Sequence, residues 1–157
     1  MAQHNERSGF IEEVGLLFEG LGVTRMAGRI MGYLMVSDKE MVSFDELTQV
    51  LQASKSSIST NLKSLVHLKF IKPISVPGDR KTYYMLNPDL NWETYFETRF
   101  ELLKRMLMLF KKGIDLRVNK KDKPATWINE AINFYEWISL EYPKLLKKYR
   151  ERNNNPA

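Results

Sequence analysis

With 157 residues, 43% of them hydrophobic, the chain can bury the core of one ordinary domain, or of one small domain with an extension. Its formal net charge of +5 fits a partner such as nucleic acid or another acidic surface. The absence of cysteine excludes disulfides, thiolate zinc sites, iron–sulfur clusters and cysteine nucleophiles, and the two histidines, His4 and His67, are too far apart in sequence to suggest a metal site.

The first residues, MAQHNERSG, lack the apolar segment of a signal peptide, and no stretch has the apolar length of a membrane span. A cytoplasmic protein without a membrane partner is expected. Residues 8–21 read as the first helix, with Ser8 as its cap, a stripe of Ile11, Val14, Leu17, Phe18 and Leu21, and Gly20 and Gly22 as its end. Thr24 is placed to cap a second helix over 25–37, with Ala27, Ile30, Met31 and Leu34 on one face. Gly28 and Gly32 lie four apart inside it. Each costs about 0.5–1 kcal/mol relative to alanine in a helix, so close packing of another backbone is the best reason for them.

Met41-Val42 can form a short strand. Ser43-Phe44-Asp45-Glu46 then has the spacing of a capping box, with Ser43 accepting the Glu46 N–H and the Glu46 side chain reaching back to Ser43. Phe44, Leu47, Val50 and Leu51 give residues 44–52 one apolar face. A turn at Ala53-Ser54-Lys55 follows, with Ser54 as cap of a helix over 55–68 whose stripe is Ile58, Leu62, Leu65 and Leu68.

The other face of that helix is Lys55, Ser56, Ser57, Thr60, Asn61, Lys63 and Ser64, and no acid occurs between Glu46 and Asp79. A face selected for helix stability carries Glu and Lys, whereas serine and threonine are mediocre helix formers. Small donors and acceptors with lysines suit base edges and phosphates. Residues 70–76 and 82–86 then read as two strands joined by a Pro77-Gly78-Asp79 turn, with Arg80 and Lys81 just past the tip. An arginine on a thin ribbon can enter a narrow minor groove.

Asn91 can cap a long helix over about 92–112, dense in Trp92, Tyr95, Phe96, Phe100, Leu103, Leu107 and Phe110, with Leu102, Met106 and Leu109 spreading around it. Its MLMLF segment (106–110) is too apolar for a helix with one covered face, which predicts a second chain on the other. A charged connection, RVNKKDK (117–123), leads to a final helix from Pro124 with the stripe Trp127, Ala131, Phe134, Tyr135 and Ile138. Pro143 is expected to break or kink it, and Arg152–Ala157 to be disordered.

Helix, turn, SKSSIS helix and PGDRK wing together resemble the MarR-type winged-helix regulators, and AGRIMGYL (27–34) resembles their GbsR-like subgroup. The wing departs from the family's Asp-x-Arg, since Asp79 is followed directly by Arg80 and then Lys81. The resemblance implies a mainly α fold with a small β-wing. A winged helix-turn-helix over 23–90 would be flanked by dimerisation helices, 8–22 plus 91–150.

The resulting expectation is a non-enzymatic, homodimeric, sequence-specific regulator of double-stranded DNA, without cofactor, acting as a ligand-responsive repressor. Lys55, Ser56, Ser57, Thr60, Asn61, Lys63, Ser64, Arg80 and Lys81 are its candidate DNA contacts. Asn61 is the favoured base reader, because an amide can pair bidentately with adenine. Trp92, Tyr95, Phe96, Trp127, Phe134, Tyr135 and Trp137 are candidates for an aromatic cage around a quaternary amine such as choline, in line with the GbsR resemblance. The competing reading is a winged-helix protein-interaction module that docks a larger complex through its C-terminal helices.

Overall fold

The structure is a computed structural model and describes residues 2–154. Six helices and three strands follow in the order α1 (Ala2–Gly20), α2 (Arg25–Val36), β1 (Val42–Ser43), α3 (Phe44–Val50), α4 (Lys55–His67), β2 (Ile71–Ser75), β3 (Thr82–Leu86), α5 (Trp92–Leu116) and α6 (Lys123–Asn154). The chain divides into two compact units, residues 1–90 and 91–157.

In the first unit α1 packs along α2. Ser8 lies inside α1 and caps nothing. The α1–α2 approach is close because of Gly28 and Gly32. A Cβ on Gly28 would lie 2.6 Å from the Val14 carbonyl oxygen, and one on Gly32 would lie 3.0 Å from the Ile11 Cα. The two glycines predicted to admit a neighbouring backbone do so, and the backbone is that of α1. Arg25 and Arg29 of α2 both reach Glu12 of α1 across the same seam.

Below α2, the core gathers Ala27, Ile30, Leu34, Val42, Leu47, Leu51, Ile58, Leu62, Leu65 and Ile71, with Ile11 from α1. Most come from the apolar stripes of the helices, and burial of those stripes is the main favourable contribution to the unit. The antiparallel sheet has the order β1-β3-β2, with Val42 opposite Tyr84 and Pro73 also opposite Tyr84 across β3. Pro73 stands on edge strand β2, where the lost N–H removes no ladder bond.

The second unit is an antiparallel pair of long helices. Phe100 stacks on Tyr142 at 4.2 Å between ring centroids, Phe110 meets both Trp127 and Tyr135, and Arg150 reaches Glu93 and Glu97 at the far end. Asn91 caps α5 through the Thr94 N–H, as predicted. Pro143 is carried inside α6 without ending it, and Arg152 and Asn153, expected to be disordered, are helical. The Pro143 ring costs one backbone hydrogen bond, which the packing of Tyr142 on Phe100 helps offset. Residues 155–157 lie outside the described residues.

Candidate nucleic-acid interface

Helix α4 begins as the sequence predicts. Ser54 adopts extended backbone and its hydroxyl accepts the Ser57 N–H at 3.2 Å. Ile58, Leu62 and Leu65 point into the core, which turns Lys55, Ser56, Thr60, Lys63 and Ser64 outward; Ser57 is half-buried. Neither Lys55 nor Lys63 is in an ion pair among the described residues. The result is an exposed, acid-free helix surface of hydroxyls and free ammonium groups.

Asn61 is the exception and corrects the sequence reading. It is only 7% exposed. Its Nδ2 donates to the Ser57 carbonyl at 2.8 Å, and its Oδ1 accepts from the Thr24 hydroxyl at the start of α2. Both ends of the amide are engaged inside the protein, so neither is available to an adenine edge. The signal was present, since position 61 falls at i+3 from Ile58 and i−4 from Leu65, on the buried stripe.

Upstream of α4, α3 is tied down by a network that sequence reasoning assigned differently. Ser43 accepts the Glu46 N–H at 3.2 Å, but the Glu46 carboxylate does not close the capping box. It accepts instead from the Tyr33 hydroxyl and from Lys39 Nζ, both at 2.8 Å. Burial of Glu46 opposes its ionisation, yet the bonds from Lys39 and Tyr33 outweigh that and hold its pKa below the ordinary range. Burial, with the bond to Glu46, pushes the Tyr33 hydroxyl up to about 12. The turn from α3 to α4 uses Gln52 at φ 49°, a left-handed residue that is not glycine.

The wing forms as expected. Asp79 N–H bonds to the Val76 carbonyl at 3.0 Å with Gly78 at φ 85°, the arrangement of a type II turn with Pro77 at its second position. Asp79 does not pair with an arginine side chain. One carboxylate oxygen accepts the Lys81 N–H at 2.9 Å and the other accepts the Tyr83 hydroxyl at 2.8 Å. The Lys81 N–H, then the Tyr83 hydroxyl, hold the Asp79 carboxyl below its usual pKa, and the same bond raises that of Tyr83. With the one-residue change in wing spacing, Tyr83 is the side chain that supports Asp79 at the tip. Arg80 and Lys81 project from it, exposed.

The aromatic residues of the second unit do not form one cage. Trp92, Tyr95 and Phe96 cluster at the start of α5 with ring centroids 5.5–6.5 Å apart. Phe134 lies against Tyr135 and Trp137, and Trp127 and Tyr135 meet Phe110. Fourteen helical residues separate Phe96 from Phe110, about 20 Å along α5. The Tyr95 ring already carries the Arg99 guanidinium at 5.1 Å. Trp92, Phe96, Trp127, Phe134 and Trp137 are each more than half exposed. Two separate exposed groups thus stand where a single pocket was expected.

A two-helix turn seated on α2, an outward polar second helix and a three-stranded sheet ending in a basic wing define a winged helix-turn-helix protein. The model of the MarR family matches residues 21–82, the stretch that holds the helix-turn-helix and most of the wing. Over 80 residues it is 45% identical to the HTH-type transcriptional regulator MmpR5 of Mycobacterium tuberculosis (strain ATCC 25618 / H37Rv), a match covering 51% of this chain and 48% of that protein, so it spans about half of that relative's length. It is 26% identical over 149 residues to the HTH-type transcriptional repressor GbsR of Bacillus subtilis (strain 168), covering 90% of this chain and 82% of the other. The crystal structure of a transcriptional regulator matches with a TM-score of 0.70 at 29% identity, covering 94% of this chain and 99% of that one. Among the described residues, no helix is long and apolar enough to cross a membrane.

Proposed function

We propose that the chain is a non-catalytic, sequence-specific regulator of transcription that binds double-stranded DNA as a homodimer. The observation that carries this reading is the outward surface of α4, where Lys55, Ser56, Thr60, Lys63 and Ser64 are exposed with no carboxylate on the helix. Polyanionic DNA favours such a surface, and small hydroxyls admit the close approach that groove contacts need. Arg80 and Lys81 would act from the wing on the adjacent minor groove. The family of the two regulators above supports the same reading.

Pairing of two copies is supported by the second unit. In α5 only Phe100 is buried, while Leu102, Met106, Met108, Leu109 and Leu116 stay exposed. Such an apolar helix face calls for a partner, and a second copy would set two reading helices on a palindromic operator about one helical turn apart. Repression follows the likeness to GbsR, which is named a repressor, and its relief by a small-molecule effector is part of the same proposal. With the aromatics in two groups, any cage for a quaternary amine would have to be completed by the second copy.

Selection of duplexes from a random library by the full chain, followed by hydroxyl-radical footprinting, tests the reading. Two protected patches related by a dyad are expected. Failure to enrich any sequence would reject it.

A further inference from the structure

We infer that Thr24 is a positioning residue for the reading surface of α4, acting through Asn61; this rests on the DNA-binding reading above. The Thr24 hydroxyl has two roles at once. It accepts the Ala27 N–H at 3.2 Å as the cap of α2, and it donates to Asn61 Oδ1. One hydroxyl has the donor and the acceptors for both. Asn61 passes the restraint on, because its Nδ2 donates to the Ser57 carbonyl in the first turn of α4. That carbonyl can only accept, so the amide has one orientation that satisfies every partner, with Oδ1 toward Thr24.

The remaining buried contacts of α4 come from Ile58, Leu62 and Leu65. Apolar contacts are non-directional and tolerate small rotations of the helix about its axis. A hydrogen bond at a nearly buried amide is directional and meets little competition from water. The Thr24–Asn61 bond therefore fixes the rotation of α4 against α2, and with it the direction in which Lys55, Ser56, Thr60, Lys63 and Ser64 face. The other side of α2 is packed closely against α1 at Gly28 and Gly32, so the helix to which α4 is tied is held on both sides.

The test uses the full chain and the duplex that the wild type selects from a random library. Thr24→Ala, Asn61→Ala, the double variant and Thr24→Ser are compared by fluorescence anisotropy, on that duplex and on its single-base-pair variants. Hydrogen exchange of the α4 amides is followed in the free proteins. Each alanine variant should weaken binding about five- to tenfold. The double variant should be no weaker than either single one, discrimination should fall at several base pairs together, and Thr24→Ser should restore wild-type affinity. Exchange should quicken in the first turns of α4 with Thr24→Ala and return with Thr24→Ser. Additive losses, or loss of discrimination at one base pair with Asn61→Ala and none with Thr24→Ala, would overturn the proposal and make Asn61 a reader. If the wild type selects no duplex, the DNA reading fails separately and exchange alone decides: unchanged α4 exchange in Thr24→Ala overturns the positioning role, and quickened exchange sustains it.

Discussion

Replacing Gly28 with alanine adds one methyl group at the tightest point of the first unit. That methyl would sit 2.6 Å from the Val14 carbonyl oxygen, 2.7 Å from the Gly15 Cα and 2.8 Å from the Phe18 Cβ. All three are backbone or Cβ atoms, which cannot swing away. To restore ordinary contact near 3.5 Å, α1 must retreat by roughly 1 Å. Retreat opens the contacts of Ile11 and Val14, both nearly buried. Overpacking of this kind costs about 1–3 kcal/mol, against a helix-propensity gain of at most about 1 kcal/mol for Gly→Ala. Net destabilisation of about 1–2 kcal/mol is expected. Gly9, also helical, has nothing within 4 Å of its would-be Cβ, so Gly9→Ala should stabilise by about 0.5–1 kcal/mol. Urea unfolding followed by circular dichroism, at one protein concentration, measures both. A Gly28→Ala protein as stable as the wild type would refute the α1–α2 packing described above.

The Glu46 carboxyl ionises more readily in the fold, so its contribution to stability is present above its ordinary pKa of 4.5 and is lost as pH falls through the lowered value. Glu46→Gln should therefore lose less stability than the wild type on acidification below about pH 5, measured by denaturant midpoints. The raised Tyr33 has the opposite sign: its contribution is complete below 10 and fades as pH rises toward about 12, so Tyr33→Phe should flatten the alkaline limb of the same curve. Gly78 has φ 85°, and Gly78→Ala should strain the wing turn by roughly 1 kcal/mol, visible as faster amide exchange in β2 and β3 with α4 unaffected. Arg80→Ala should lower the slope of log affinity against log salt by about 1, whereas an unchanged slope would remove Arg80 from the DNA contacts.

Much of the fold was legible because its signals are local. Thr24, Ser43, Ser54 and Asn91 all accept the N–H three residues on, as their positions imply. Pro77-Gly78 sets the turn of the wing, and Gly28 and Gly32 mark a close approach that exists. What was misread depends on partners distant in sequence. Asn61 looked like a reader because its polarity outweighed its place on the buried stripe, and only Thr24, thirty-seven residues away, explains an amide there. Glu46 was assigned to Ser43 by spacing, yet Tyr33 and Lys39 take its carboxylate. At the wing, where the sequence already departs from the family's Asp-x-Arg, Asp79 is held by Tyr83 of the adjoining strand. The aromatics at helical spacing suggested one cage, but their separation along α5 divides them. Pro143 reads as a breaker by propensity, which the packing of α6 on α5 overrides.

The outward surface of α4 is the element on which the account turns, and Thr60→Glu probes it with least collateral change. Thr60 is exposed, and glutamate is a better helix former than threonine, so folding should be unaffected. Anisotropy titration of the selected duplex should show affinity falling at least about tenfold, because a carboxylate would then face phosphates and base edges. Wild-type affinity in a folded Thr60→Glu protein would contradict the claim that this surface lies against DNA.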